Sequence, residues 1–212
     1  MNLSILILTH KRPKLFKRCI ESVIDNCKNN NIEIIVNNDS NDIEEIYNKN
    51  VEIKYFYIKD TLKNLYFKLI NLSNYNKVFF LEDDDYITPK FFKNIDLNYD
   101  LNFIEYEKDK KFIRKYINEN SMKEYVKSCC KKPYKYYNDF IINNNFIDFQ
   151  LSQIIFDKKI INYNLINKYI IDDNYVENDE IFFLKCLKNC KINYIKDSCY
   201  IQTTDGNDNI SL

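Results

Sequence analysis

Residues 3–9, "LSILILT", form a short continuous apolar run of the kind that fills a strand buried on both faces. Residues 15–27, "LFKRCIESVIDNC", then repeat their apolar positions at helical spacing, just after Pro13, which suits a first helical turn. The same reading gives a strand at 32–36, a short helix over 41–49 opened by a polar cap, a strand at 51–58, an amphipathic helix at 61–73 and a strand at 77–81. Strands alternating with helices at this spacing predict an α/β fold with a mainly parallel, doubly wound sheet, whose ligands bind beyond the carboxyl ends of the strands. Past Pro89 the alternation loosens. Strands are expected at 101–106 and 152–157, helices at 121–130 and 158–169, and a clearer helix at 178–190 leads into a strand at 191–195. No repeat, linker or change of composition divides the chain, so 1–212 is expected to be one domain.

The strand at 77–81 runs straight into four consecutive carboxylates, Glu82, Asp83, Asp84 and Asp85, in "KVFFLEDDDYITP". Side by side they repel one another, and a divalent cation would neutralise them. Their oxygens are hard ligands of the type Mg²⁺ or Mn²⁺ prefers. The plain alternative is an acidic surface turn, which an apolar strand feeding directly into it argues against.

Charge and composition sharpen this. Lys and Arg total 31, as do Asp and Glu, so no global field draws the chain to nucleic acid or an anionic membrane, and any electrostatic function is local. No apolar run is long enough for a membrane span, the N-terminal apolar segment is too short for a signal peptide, and the seven cysteines suit a reducing compartment; a soluble cytoplasmic protein is the expectation. With one glycine, Gly206, the chain has no Gly-rich phosphate loop, which excludes P-loop and dinucleotide-binding classes. Asn and Asp must mark its turns instead.

Four segments, in order, resemble the GT-A glycosyltransferases of the family 2 type: "LSILILTHKRPKLFKRCIESV", "EIIVNNDSND", "FFLEDDDYITP" and "NDEIFFLKCLKNCKINYI". The resemblance implies a single GT-A domain, with residues 1–90 holding a nucleotide-sugar and 91–212 supplying the acceptor site and the catalytic base. It implies an inverting, metal-dependent hexosyltransferase moving a sugar from a nucleotide-sugar, a UDP-sugar on family grounds, to a hydroxyl of a glycan or other acceptor. By the family's D-x-D pattern Asp84 is the direct Mn²⁺ or Mg²⁺ ligand, while Glu82 contacts the ribose or a metal-bound water and, with Asp83, faces the nucleotide-sugar; Glu82 stands where the family has Asp. Thr9, Asn37 and Asn38 fall where the family holds the nucleobase, with Asn38 in place of a base-contacting Asp. Arg12 and Lys11, like Lys63 or Lys68, are candidates for phosphate. Asp179 takes the position of the catalytic base and Glu180 stands beside it. Two alternatives remain open: a silent carbohydrate- or metal-binding module of the same fold, and a nucleotidyltransferase of related fold.

Overall fold

β1 (Asn2–Thr9) is buried at nearly every position, and a strand with apolar side chains on both faces must be covered on both. The structure is a computed structural model, and it describes residues 1–28, 30–40, 42–108, 151–161, 163 and 191–203. On one side of β1 lies β2 (Asn31–Asn38) and beyond it β3 (Glu52–Phe56); on the other lies β4 (Lys77–Glu82). All three contacts are parallel. The chain therefore moves outward from β1 to β3 and returns to β4, which leaves a switch of direction between β1 and β4, the place where an open α/β sheet offers a crevice.

Helices cover both faces. α1 (Pro13–Asn26) starts with Pro13 in its first turn and buries Phe16, Cys19, Ile20 and Val23, one stripe of a 3.6-residue period, in the core that also holds Ile5, Ile7, Phe79 and Leu81. α2 (Leu62–Leu72), capped by the Thr61 hydroxyl, brings Tyr66 edge-on to Phe80 at 4.9 Å. Phe79 and Phe80 alternate across the sheet, so the two helices lie on opposite faces and the fold is doubly wound.

Among the described residues, the second half completes an eight-stranded sheet in the order β3-β2-β1-β4-β7-β6-β8-β5. β5 (Tyr86–Ile87) and a one-turn α3 (Phe91–Asn94) follow β4; then come β6 (Leu101–Lys108), β7 (Ile154–Asp157) and β8 (Ile192–Gln202). β7 is antiparallel to β4 and β6, β5 is antiparallel to β8, and β6 is parallel to β8. In a flat sheet β5 would lie four strand spacings, about 19 Å, from β4. The four residues from Glu82 to Tyr86 reach only about 14 Å. The sheet therefore bends, and β8 breaks register against β6 between Ile104 and Tyr106, so that Tyr200 and Ile201 come back to pair with Ile87 and Tyr86.

The strands and helices read from the pattern up to residue 82 are present, with one exception. The helix expected over 41–49 does not form. Its apolar Ile43 and Ile46 pack against the core in an irregular crossover, and the Tyr55 hydroxyl donates to the Ile46 carbonyl at 3.0 Å and accepts from its N–H at 2.7 Å. A segment this short has little helical stability of its own, and side-chain bonds to its backbone displace the helix. The start of the helix expected at 158–169 is instead a 3-10 turn, Lys158–Ile160, ending at an extended Ile161, while positions 162 and 164–169 lie outside the described residues. The helices at 121–130 and 178–190 lie outside the described residues. β5 and α3 were not expected, and β8 runs well past the strand read at 191–195.

One buried charge holds the amino-terminal side of the sheet. The Glu33 carboxylate, wholly buried in β2, accepts from the Ser4 hydroxyl at 2.5 Å, the Asn74 N–H at 2.5 Å, the Tyr75 N–H at 3.3 Å and Lys54 Nζ at 3.0 Å. Burial alone would raise its pKa, but these donors outweigh it and hold the carboxyl below its usual value. A carboxyl whose folded pKa is depressed contributes stability above its unfolded pKa and loses it as pH falls through the folded one. Glu33→Ala should lower the unfolding free energy by about 3 kcal/mol at pH 7, because it strands several buried donors, and by much less in acid. Urea titrations at pH 7 and pH 3 measure the two values.

Candidate active site

Three strand ends meet at the switch of direction. Thr9, the last residue of β1, is in register with Asn38 of β2, and Leu8 lies between Asn37 on one side and Glu82 of β4 on the other. The loops leaving β1 and β2 are tied together: His10 Nδ1 hydrogen-bonds Asp39 Oδ1, and the Lys11 N–H donates to Ser40 Oγ at 2.9 Å. Lys11 holds φ 53°, a left-handed conformation that a residue with a Cβ adopts at some cost; with a single glycine in the chain, the tight exit from β1 falls to a lysine.

Each of the four carboxylates has different company. Arg12 Nη1 donates to Asp83 Oδ1 and Asp84 Oδ2, both at 3.1 Å, from a side chain only 14% exposed. Asp85, fully buried, accepts the Tyr200 hydroxyl on Oδ2 and the Thr203 N–H on Oδ1 at 2.8 Å. Glu82 opens to solvent, and its N–H donates to Ser152 Oγ at 3.2 Å. The turn is closed by the Asp85 N–H on the Glu82 carbonyl at 3.1 Å. One carboxylate oxygen from each of Glu82, Asp84 and Asp85 lies within 4.8 Å of the others. Hard oxygens converging in this way fit Mg²⁺ or Mn²⁺.

The electrostatics follow from crowding. The Glu82 carboxyl, on an exposed residue but packed round by protein, is pushed up to about 7, first by desolvation and then by Asp84 and Asp83, with Arg12 opposing. Burial likewise raises Asp83, against the Thr9 side chain and Arg12, and raises Asp85 well above the carboxylate range, helped by Glu82 and Asp84. Tyr200 moves up by burial and by the charge of Asp85, so it stays a hydrogen-bond donor at neutral pH. Cys19 lies beneath the loop with Sγ 3.4 Å from the Glu82 carbonyl. Burial and three nearby aspartates raise its thiol well above the usual range, which makes it a packing residue and not a nucleophile.

Sequence reasoning brought Thr9, Arg12, Asn37, Asn38, Glu82, Asp83 and Asp84 to this face, and the fold gathers them there. Asn37 also ties the sheet: its amide donates to the Ile58 carbonyl at 3.0 Å and accepts the Ile58 N–H at 2.9 Å, extending β2 past the end of β3. Asn38 Oδ1 accepts from the N–H and hydroxyl of Ser40. Lys68 pairs with Asp60, and the Lys63 side chain is not described. Asp179 and Glu180 lie outside the described residues.

Sequence reasoning missed Arg18, Tyr200 and Thr203. Arg18 Nη2 donates to the Asp84 carbonyl at 2.5 Å and to Thr203 Oγ1 at 2.9 Å, with its guanidinium over the Tyr86 ring. One signal was available: Arg18 and Ser22 stand four apart on a flank of α1 beside the buried stripe, and the Ser22 hydroxyl accepts the Ile87 N–H at 3.1 Å. That flank holds both sides of the acidic turn. Tyr200→Phe should lower stability by about 1–2 kcal/mol, since it leaves a buried carboxylate oxygen without its donor. Thermal or urea unfolding of the variant checks this, and a change within error would show that the phenol bond contributes nothing net.

Comparisons with known proteins agree with this fold. Residues 4–95, from β1 through the acidic turn to the end of α3, match the model of glycosyl transferase family 2. The fold is shared with TarS of S. aureus: its 1–349 fragment in complex with UDP-GlcNAc superposes with a TM-score of 0.60 at 15% identity, over 98% of this chain and 60% of that one. The same fragment with UDP gives 0.56 over 96% of this chain and 60% of that one, again at 15% identity. The apo structure of the bifunctional glycosyltransferase WbbM gives 0.56 at 14% identity, over 92% of this chain and 38% of that one. The chain thus spans about 60% of the TarS fragment. No curated protein matches it in sequence.

Proposed function

With a GT-A fold and a first half that matches glycosyl transferase family 2 as premises, we propose that the protein transfers a sugar from a nucleotide-sugar to an acceptor hydroxyl. The observation that carries the reading is the acidic turn at the mouth of β4, converging on one point beside the ends of β1 and β2. The TarS complexes with UDP-GlcNAc and UDP support a UDP-sugar as donor. Thr9, Asn37 and Asn38 line the end of the sheet where the nucleobase sits, and Arg12 meets the phosphates. Asp84, with Glu82 and Asp85 converging beside it, would hold Mg²⁺ or Mn²⁺, and such an ion would supply positive charge to offset that of the departing nucleoside diphosphate.

The acceptor hydroxyl must lose a proton as it attacks the anomeric carbon from the face opposite the diphosphate, an inverting course. Asp179 is the base in this reading; Glu180 is its neighbour. The acceptor is a glycan or another hydroxyl compound bound by the second half of the chain. No described helix is long and apolar enough to cross a membrane.

Two experiments test the reading. Asp84→Asn should abolish Mn²⁺-dependent UDP binding and leave the fold intact; calorimetric titration showing unchanged metal-dependent affinity would remove Asp84 from the site. Asp179→Asn should lower kcat by about 10²-fold or more with little change in donor binding, because a positioned carboxylate contributes about 10²- to 10⁴-fold to proton transfer. Glu180→Gln should do far less; the reverse result shifts the base by one residue. Donor binding by the wild-type chain without hydrolysis or transfer would make it a binding module instead.

A further inference from the structure

Arg12 Nη1 is shared between Asp83 Oδ1 and Asp84 Oδ2, and Asp84 belongs at the same time to the carboxylate group that converges with Glu82 and Asp85 within 4.8 Å. One carboxylate therefore faces two cationic claimants, a guanidinium already in place and a divalent ion. Resting on the metal-and-diphosphate reading above, we propose that Arg12 is the built-in counter-cation of the acidic turn: it holds Asp84 in the free protein, opposes a divalent ion arriving alone, and passes to the phosphates when ion and nucleotide arrive together.

Three features support this. Arg12 forms ion pairs with both Asp83 and Asp84 from a largely buried side chain, while Arg18 reaches the same turn at the Asp84 carbonyl, at Thr203 and over the Tyr86 ring. The backbone of Arg12 is fixed on both sides, by the Lys11 N–H on Ser40 and by the Phe16 N–H on the Arg12 carbonyl at 2.9 Å. A change of partner is thus a swing of the side chain from an anchored base, with no loop movement. Finally, a guanidinium matches phosphate oxygens as well as it matches carboxylates, so the diphosphate gives it a new partner at the moment Asp84 is taken. Ion and diphosphate then strengthen each other's binding, and the coupling is reciprocal.

The test measures Mn²⁺ binding to the full chain without nucleotide, by electron paramagnetic resonance of the free ion, and repeats it with UDP. Arg12→Gln should bind Mn²⁺ alone about tenfold tighter, since a positive charge a few ångströms from the ion is removed. The gain in Mn²⁺ affinity on adding UDP should shrink in the same variant. Adding Asp84→Asn should cancel the tenfold gain. Equal or weaker Mn²⁺ binding in Arg12→Gln overturns the proposal. A second measurement needs no variant to fold: the Arg12 Nε–H signal of the wild-type protein should shift when Mg²⁺ and UDP are added together, by more than with Mg²⁺ alone, and a signal unmoved by the pair also overturns it. If UDP binds under no condition, the glycosyltransferase reading fails, while the Mn²⁺-only arm still decides the competition between Arg12 and the ion.

Discussion

Consecutive carboxylates at positions 82–85 cannot leave water together unless donors and cations meet them, and most of the architecture around β4 serves that requirement. Glu82 is the exposed residue of the four, Asp83 and Asp84 share Arg12, and Asp85 is taken into the core by a phenol and a backbone N–H. The partners come from three separate places: the exit of β1, the flank of α1 and the far end of β8. A turn assembled in this way is preorganised. Its oxygens converge before any ligand arrives, because the two that could swing are already held.

Charge is treated differently at the two ends of the same sheet. At the amino-terminal side Glu33 is sealed under four donors, none of them from the site, and its negative charge is fully employed in joining β2 to β1, β3 and the residues before β4. At the carboxyl side four acids are gathered together, and burial and mutual repulsion push the carboxyls of Glu82, Asp83 and Asp85 up. The first arrangement holds the strands in register and the second leaves room for something positive. That asymmetry, and not the presence of buried acids as such, separates a structural carboxylate from a candidate ligand.

Much of the first half was legible because buried parallel strands are written as unbroken apolar runs, and "LSILILT", "IEIIV" and "KVFFL" admit few other readings. The acidic turn stood out for the same reason: its charge begins where the burial ends. Residues 41–49 misled because Ile43 and Ile46 have helical spacing, while their partners, the core and the Tyr55 hydroxyl, come from elsewhere in the chain. Tyr200 and Thr203 were invisible on stronger grounds. They meet Asp85 across more than a hundred residues, and only the bend in β8 aligns them; no local pattern encodes that. The base assigned to Asp179 lies beyond the described residues and remains a matter of the family pattern.

The bond between the acidic turn and β8 also bears on how the protein is made. On the ribosome the strands β1 to β4 emerge long before Tyr200 and Thr203, so the nascent sheet must carry an Asp85 whose two oxygens have no partner yet. Until the last strand docks, water or a cation has to stand in for it. The segment that matches the family, 4–95, therefore holds every acid of the turn but does not by itself hold them in place. The turn is finished only when β8 is in place, and a fragment cut after α3 would emerge without the donors that meet Asp85.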